Sequence, residues 1–145
     1  MDIPKLAASA AKTAALKTLE SLPCPSVSFG TFGLDGWTNL RILAIANHDG
    51  IDTLWFATTV TEKKVAELKA NPKAVVYGYD PQSMAEFRLF GNVELLSDSA
   101  SRRKAWREDF IQYFPEGVDS PTMIVIKFTT DHGQYVDYSV GTGTF

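Results

Sequence analysis

The residues best placed to do chemistry crowd one short stretch. Thr58, Thr59 and Thr61 carry hydroxyls, and Lys63 and Lys64 add two ammonium groups at once. Leu54 to Thr58 is apolar, aromatic and β-branched, the composition of a covered strand. Residues 61–70 read as the helix it empties into, with Thr61 as N-cap and Asn71-Pro72 as the stop. A helix start carries partial positive charge and free N–H groups, so acidic residues suit it and lysines do not; only Glu62 offsets them. A bound anion would remove the conflict, because N–H groups, hydroxyls and ammonium groups would converge on it, and a phosphate monoester has suitable charge and acceptors. The alternative is that both lysines are solvated, at a cost within the roughly 0.3–1 kcal/mol scale of such effects.

Arg41 is the second candidate. It lies in an apolar run with Leu40, Ile42, Leu43 and Ile45, where an unpaired guanidinium is unfavourable. Either an acidic side chain or a ligand must meet it. It can join Thr58, Lys63 and Lys64 only if neighbouring strands pair. The turn signals Asp35-Gly36 and His48-Asp49-Gly50 predict that they do. Other groups fit bland roles. His48 and His132 sit far apart in turn-like segments, with no metal-ligand spacing. Ser28, Ser83 and Cys24 have no recognisable base partner for nucleophilic catalysis. Glu94, Asp98 and Glu108 suit the surface or caps, and Trp55, Trp106 and Phe110 suit core or interface packing.

These residues need elements to hold them. An amphipathic helix is expected over residues 4–21, with a stripe of Leu6, Ala10, Thr13, Leu16 and Leu19, ended by Pro23-Cys24-Pro25. Strands are expected over 26–32, 37–46, 51–58, 74–79, 86–96 and 121–129, with a short seventh at 134–138. Gly91 marks a bulge or a close-packing point. Ser97-Asp98 starts a helix to about Tyr113, and Phe114-Pro115-Glu116-Gly117 turns the chain. Residues 141–145 are expected to be loose unless Phe145 docks. This pattern predicts a mainly β (α+β) domain spanning 1–145: a six- or seven-stranded antiparallel barrel with peripheral helices and the N-terminal helix packed outside.

Composition narrows the function classes. With 145 residues, a net charge of −3 and no basic run, the chain lacks the positive footprint of a general nucleic-acid surface, so any anion site must be local. Cys24 is the only cysteine, which rules out an intrachain disulfide and a cysteine-ligated zinc within one chain. No window approaches the roughly 20 apolar residues of a membrane span, and residues 1–20 lack a secretory pattern, so a cytoplasmic protein is expected.

An ordered set of features carries a resemblance: Arg41 in the second strand, Trp55-Phe56-Ala57-Thr58, Lys63-Lys64, Asn71-Pro72, Gly91-Asn92-Val93-Glu94, then Trp106 and Tyr113-Phe114-Pro115-Glu116-Gly117. Over roughly residues 25–140 the chain resembles the pyridoxamine 5′-phosphate oxidase-related flavoproteins of the FMN-binding split-barrel superfamily, and in particular the general stress protein 26 branch. The resemblance implies a split barrel and a homodimer with two FMN molecules at its interface. It also implies that Arg41 and Lys64 hold the phosphate, with Lys63 beside them. Ile42, Leu43 and Ala44 would run along the flavin ring, Ala57 and Thr58 would contact flavin or phosphate, and Glu86 would stand where the oxidases have a glutamine near the ring. The Phe114–Gly117 turn would lie near the cleft.

Departures limit what carries over. The Arg-x-His segment of the true oxidases is lacking at Asp131–Asp137, and Val136 stands where relatives commonly have Trp, so vitamin B6 oxidation is not expected. The implied activity is that of an FMN-dependent oxidoreductase passing electrons or hydride from a reduced nicotinamide to a small acceptor. The alternative is a non-catalytic FMN- or B6-phosphate-binding stress protein. No catalytic acid or base stands out.

Overall fold

Alternating buried and exposed side chains build one antiparallel sheet that curls on itself. The computed structural model describes residues 1–23 and 25–145; Cys24, part of the expected stop for the first helix, lies outside the described residues. In chain order the elements are α1 (Ala8–Ser21), β1 (Ser26–Phe32), β2 (Thr38–Ala44), β3 (Asn47–Asp49), β4 (Thr53–Thr59), α2 (Lys63–Ala70), β5 (Lys73–Asp80), β6 (Ala85–Leu96), α3 (Ser99–Lys104), a 3-10 segment (Glu108–Gln112), β7 (Met123–Asp137) and β8 (Gly141–Thr144). Strand order is β2-β1-β5-β6-β7-β4-β3, with β8 added alongside β7.

The curl is visible in the core. β1 and β4 are four places apart in the sheet, roughly 19 Å if it were flat. Yet Phe29 of β1 and Phe56 of β4 meet edge to face with ring centroids 5.2 Å apart. Both rings are fully buried with Phe87, Phe128, Val76 and Leu89. The concave face therefore packs on itself, which is the barrel expected from strand count and turn spacing. The barrel does not close: β2 pairs only with β1, and β4 pairs with β7 and the short β3, so a seam runs between β2 and β4.

Several boundaries differ from the sequence reading, each for a local reason. Among the described residues the sheet holds eight strands, the expected set with the short β3 and β8 added and the last two expected strands merged. The expected strands at 121–129 and 134–138 are one continuous β7, which carries Asp131 as an extra residue without a β6 partner where the register shifts at Phe90/Gly91. Gly91 is pressed so close to β7 that an added Cβ would stand 2.2 Å from the Thr129 carbonyl oxygen. The helix expected up to Tyr113 stops at Lys104 and resumes as the 3-10 segment. Arg102 binds the Ser97, Val118 and Ser120 carbonyls, tying α3 to the following loop, while Phe110 turns inward. Asp98 does cap α3, accepting from the Ser101 N–H at 3.1 Å.

The termini are tied down. Helix α1 starts at Ala8, not residue 4, because residues 4–6 pair with β8 through Leu6 N–H to the Thr142 carbonyl. Its buried face is Ala11, Ala15, Thr18 and Leu19, one step round from the expected stripe; the alanines let it lie close on β7 and β8. Phe145 docks, exchanging two backbone hydrogen bonds with Gly133 and laying its ring over that glycine.

Candidate functional site

The seam gathers most of the candidate residues. A cleft of about 270 Å³ lies there, lined by Ile42, Leu43 and Ala44 of β2, Ala57, Thr58 and Thr59 of β4, and Phe110, Tyr113 and Phe114. Since β2 is an edge strand, alternate backbone groups along it face the cleft with no strand partner. Phe110 and Phe114 are buried and form an apolar wall.

Lys64, Lys63 and Arg41 do not line the cleft; the nearest of these cations by hydrogen bond is Lys64, behind the Thr58 wall. Lys64 is only 8% exposed. Its Nζ donates to Thr58 Oγ1 at 3.1 Å, and its sole carboxylate neighbour within ion-pair range is Glu62 at 3.8 Å. Burial pulls the Lys64 pKa below its usual value; Glu62 opposes this, and the nearby Arg41 charge lowers it further. Helix α2 opens at Lys63 with Glu62, not Thr61, as N-cap. No side-chain cap or first-turn acid satisfies its leading N–H groups. The expected conflict is therefore present for Lys64. Lys63, by contrast, is exposed.

Arg41 is adjacent but committed. By strand alternation its side chain leaves β2 on the face opposite Ile42. Nη1 donates to Thr31 Oγ1 at 2.8 Å and to the Phe29 and Asn39 carbonyls, while Nη2 meets Glu67 Oε1 at 3.1 Å. Glu67 projects from α2, is fully buried, and also accepts from Thr31 and Asn39. Burial alone would raise its pKa, but the bonds from Thr31 and Asn39 and the Arg41 charge outweigh that and hold it below the usual value. The acidic partner that Arg41 required is thus Glu67.

Glu86 stands elsewhere within the chain, on β6, separated from β2 by β5 and β1. Its carboxylate accepts from the Tyr77 hydroxyl at 2.6 Å and pairs with Arg88 at 3.3 Å. Burial, then the Glu86 contact, pushes the Tyr77 pKa up to about 12. His48 bonds the Gly50 carbonyl; His132 pairs with Asp131 and stacks on Phe90. A larger groove of about 640 Å³ crosses the outer sheet face among Gly30, Leu40, Val75 and Phe90. Its walls are mainly apolar, with Lys73, Asn92, Asp131 and His132 along them. Among the described residues no helix is long and apolar enough to cross a membrane.

Sequence reasoning missed Glu67 and Tyr113. Glu67 four residues after Lys63 reads as an ordinary surface helix pair, and nothing local signals that it is buried. Tyr113 marks the expected end of a helix and belongs to the resemblance set, but nothing in the sequence assigns it to the cleft it lines. Phe114 does lie at the cleft, where the resemblance placed its turn.

Comparison with known proteins fits this geometry. Residues 26–144 match the family model described as pyridoxamine 5′-phosphate oxidase like. A Clostridium acetobutylicum protein related to general stress protein 26 of B. subtilis is 30% identical, covers 92% of each chain and has a TM-score of 0.81. At 16% identity, a Nostoc punctiforme pyridoxamine 5′-phosphate oxidase-related, FMN binding protein covers 86% of this chain and 81% of its own, with a TM-score of 0.68. A heme binding protein from Mycobacterium smegmatis, 13% identical, covers 92% and 57% respectively at a TM-score of 0.71. The last two likenesses show the fold alone. No curated protein matches the chain. Matched over most of its length, the chain belongs to the pyridoxamine 5′-phosphate oxidase-like family.

Proposed function

We propose that this chain binds FMN in the seam cleft and acts as an oxidoreductase, passing electrons or hydride from a reduced nicotinamide to a small acceptor. The observation that carries the reading is Lys64: a buried cation beside Thr58, at the uncapped start of α2, with no carboxylate in hydrogen-bond contact. That donor set suits a phosphate monoester. Lys64, Thr58 and the first-turn N–H groups would hold it, with Arg41 adding positive field and Lys63 acting from the rim. Ile42, Leu43 and Ala44 would offer free edge-strand backbone to the ring, with Ala57 and the Phe110–Phe114 wall completing an apolar bed. When bound, the flavin supplies the redox chemistry; the protein binds and orients it.

A homodimer goes with this reading. The cleft is smaller than the roughly 300–1,000 Å³ of typical ligand sites, so a second copy is needed to cover the ring. The outward face of β2 carries Leu40 and Ile42, 72% and 67% exposed, which suits an interface. A second copy would bring Glu86 to the ring, its charge already paired with Arg88 and its carboxylate bonded by the Tyr77 hydroxyl. The FMN binding neighbour supports the choice of cofactor, and the fold class supports a cytoplasmic single-domain protein. The second reading, a non-catalytic FMN or B6-phosphate binder, is favoured by one observation: among the described residues no carboxylate, imidazole or amine lines the cleft.

Purified protein tests both. A yellow preparation that NADH or NADPH bleaches without oxygen, and that an acceptor recolours, supports the oxidoreductase. Colour without bleaching supports the binder. A colourless protein that takes up no added FMN refutes both.

A further inference from the structure

Resting on the FMN reading above, we infer that Glu67 is a charge counterweight: it weakens the phosphate corner so that the phosphorylated ligand exchanges rather than staying resident. Lys63, exposed on the rim, is screened by solvent; the other charges of the corner balance before any ligand arrives. Arg41 and Lys64 supply two cations; Glu67, 3.1 Å from Arg41, and Glu62, 3.8 Å from Lys64, supply two anions. The two carboxylates differ in kind. The Glu62 side chain is 56% exposed and solvent screens it. Glu67 is fully buried, where screening is slight, and every hydrogen bond it receives favours its ionised form.

Glu67 does more than hold Arg41 in place. Arg41 Nη1 already bonds Thr31 Oγ1 and the Phe29 and Asn39 carbonyls, so three neutral acceptors orient the guanidinium without the carboxylate. The charge on Glu67 therefore does something geometry does not need: it cancels much of the Arg41 field that a phosphate would feel. A site selected for permanent retention would leave that field uncancelled. A site that takes and releases its ligand is served by cancelling it.

Glu67→Gln isolates the charge. The amide oxygen can still accept from Thr31 and Arg41, and Asn39 can turn its own amide to accept from the new NH₂. FMN and riboflavin affinities and dissociation rates are measured for both proteins at one salt concentration. The expected result is FMN binding about tenfold tighter and released more slowly in Glu67→Gln, with riboflavin unchanged. Weaker FMN binding would make Glu67 a positioning residue and overturn the inference; unchanged FMN binding would overturn it too. If Glu67→Gln does not fold, a double variant decides. Arg41→Gln/Glu67→Gln, which removes a neutral pair, is expected to bind FMN within about threefold of wild type. A large loss of FMN binding with riboflavin unchanged overturns the inference. Wild-type protein that binds neither flavin refutes the FMN reading itself. That result is distinct from a wild type that binds FMN and a Glu67→Gln that gains nothing.

Discussion

Arg41 of β2 and Glu67 of α2 form a 3.1 Å ion pair in which the carboxylate is wholly buried and the guanidinium one-fifth exposed. The pair locks the helix that carries Lys64 onto the strand that lines the cleft. Thr31 bonds both partners, so β1 joins the same knot. Site geometry and fold stability therefore share side chains here.

Removing one partner should expose that coupling. Arg41→Ala leaves Glu67 buried without its cation and is expected to cost about 3–5 kcal/mol in chemical denaturation. Arg41→Met/Glu67→Leu, which replaces the pair with apolar groups of similar size, should recover most of the loss. A loss below about 1 kcal/mol for the single change would mean that the pair behaves as a screened surface contact.

Acid should loosen the same knot. The folded pKa of Glu67 lies below its ordinary 4.5, so its stabilising contribution is complete above that value and is lost as pH falls through the lowered one. The wild-type melting temperature should therefore drop on acidification below about pH 4.5, and the Glu67→Gln curve should be flatter. Asp137, held low by its bonds from Ser139, adds a slope of the same sign in both proteins. Parallel curves would contradict the assignment.

Tyr77 gives an alkaline counterpart. Its hydroxyl should ionise near pH 12, read as the absorbance difference between wild type and Tyr77→Phe. Because the folded pKa is raised, stability tied to the neutral phenol is lost as pH rises above the ordinary 10.0. Glu86→Gln removes one cause of the shift and should lower the midpoint. A midpoint that does not move would mean burial alone sets it.

The barrel was legible because its signals are local. Asp35-Gly36 fixes the β1–β2 hairpin and Gly91 announces its irregularity. The pairing of the Arg41 strand with the Thr58 strand expected from His48-Asp49-Gly50 does not form, because residues 47–49 fold back on β4 as the short β3 and leave β2 and β4 unpaired across the seam. The misplaced lysines of α2 flagged the corner for an equally local reason. What stayed hidden depends on tertiary packing. Glu67 looks like a solvated helix residue until β1 and β2 curl over it. The break after Lys104 arises because Arg102 finds distant carbonyls, which no helix propensity records. Lys63 and Lys64 are neighbours in sequence with the same propensity; only the approach of β4 decides that one is buried against Thr58 and the other faces solvent.

Lys64→Met tests the central claim most directly. Met keeps much of the length and apolar stem but removes the buried charge, so stability should hold or rise. FMN affinity should fall at least about tenfold, with riboflavin affinity unchanged within about twofold, since only the phosphate loses a partner. Equal losses for both flavins, or no loss for either, would contradict a phosphate held at the start of α2.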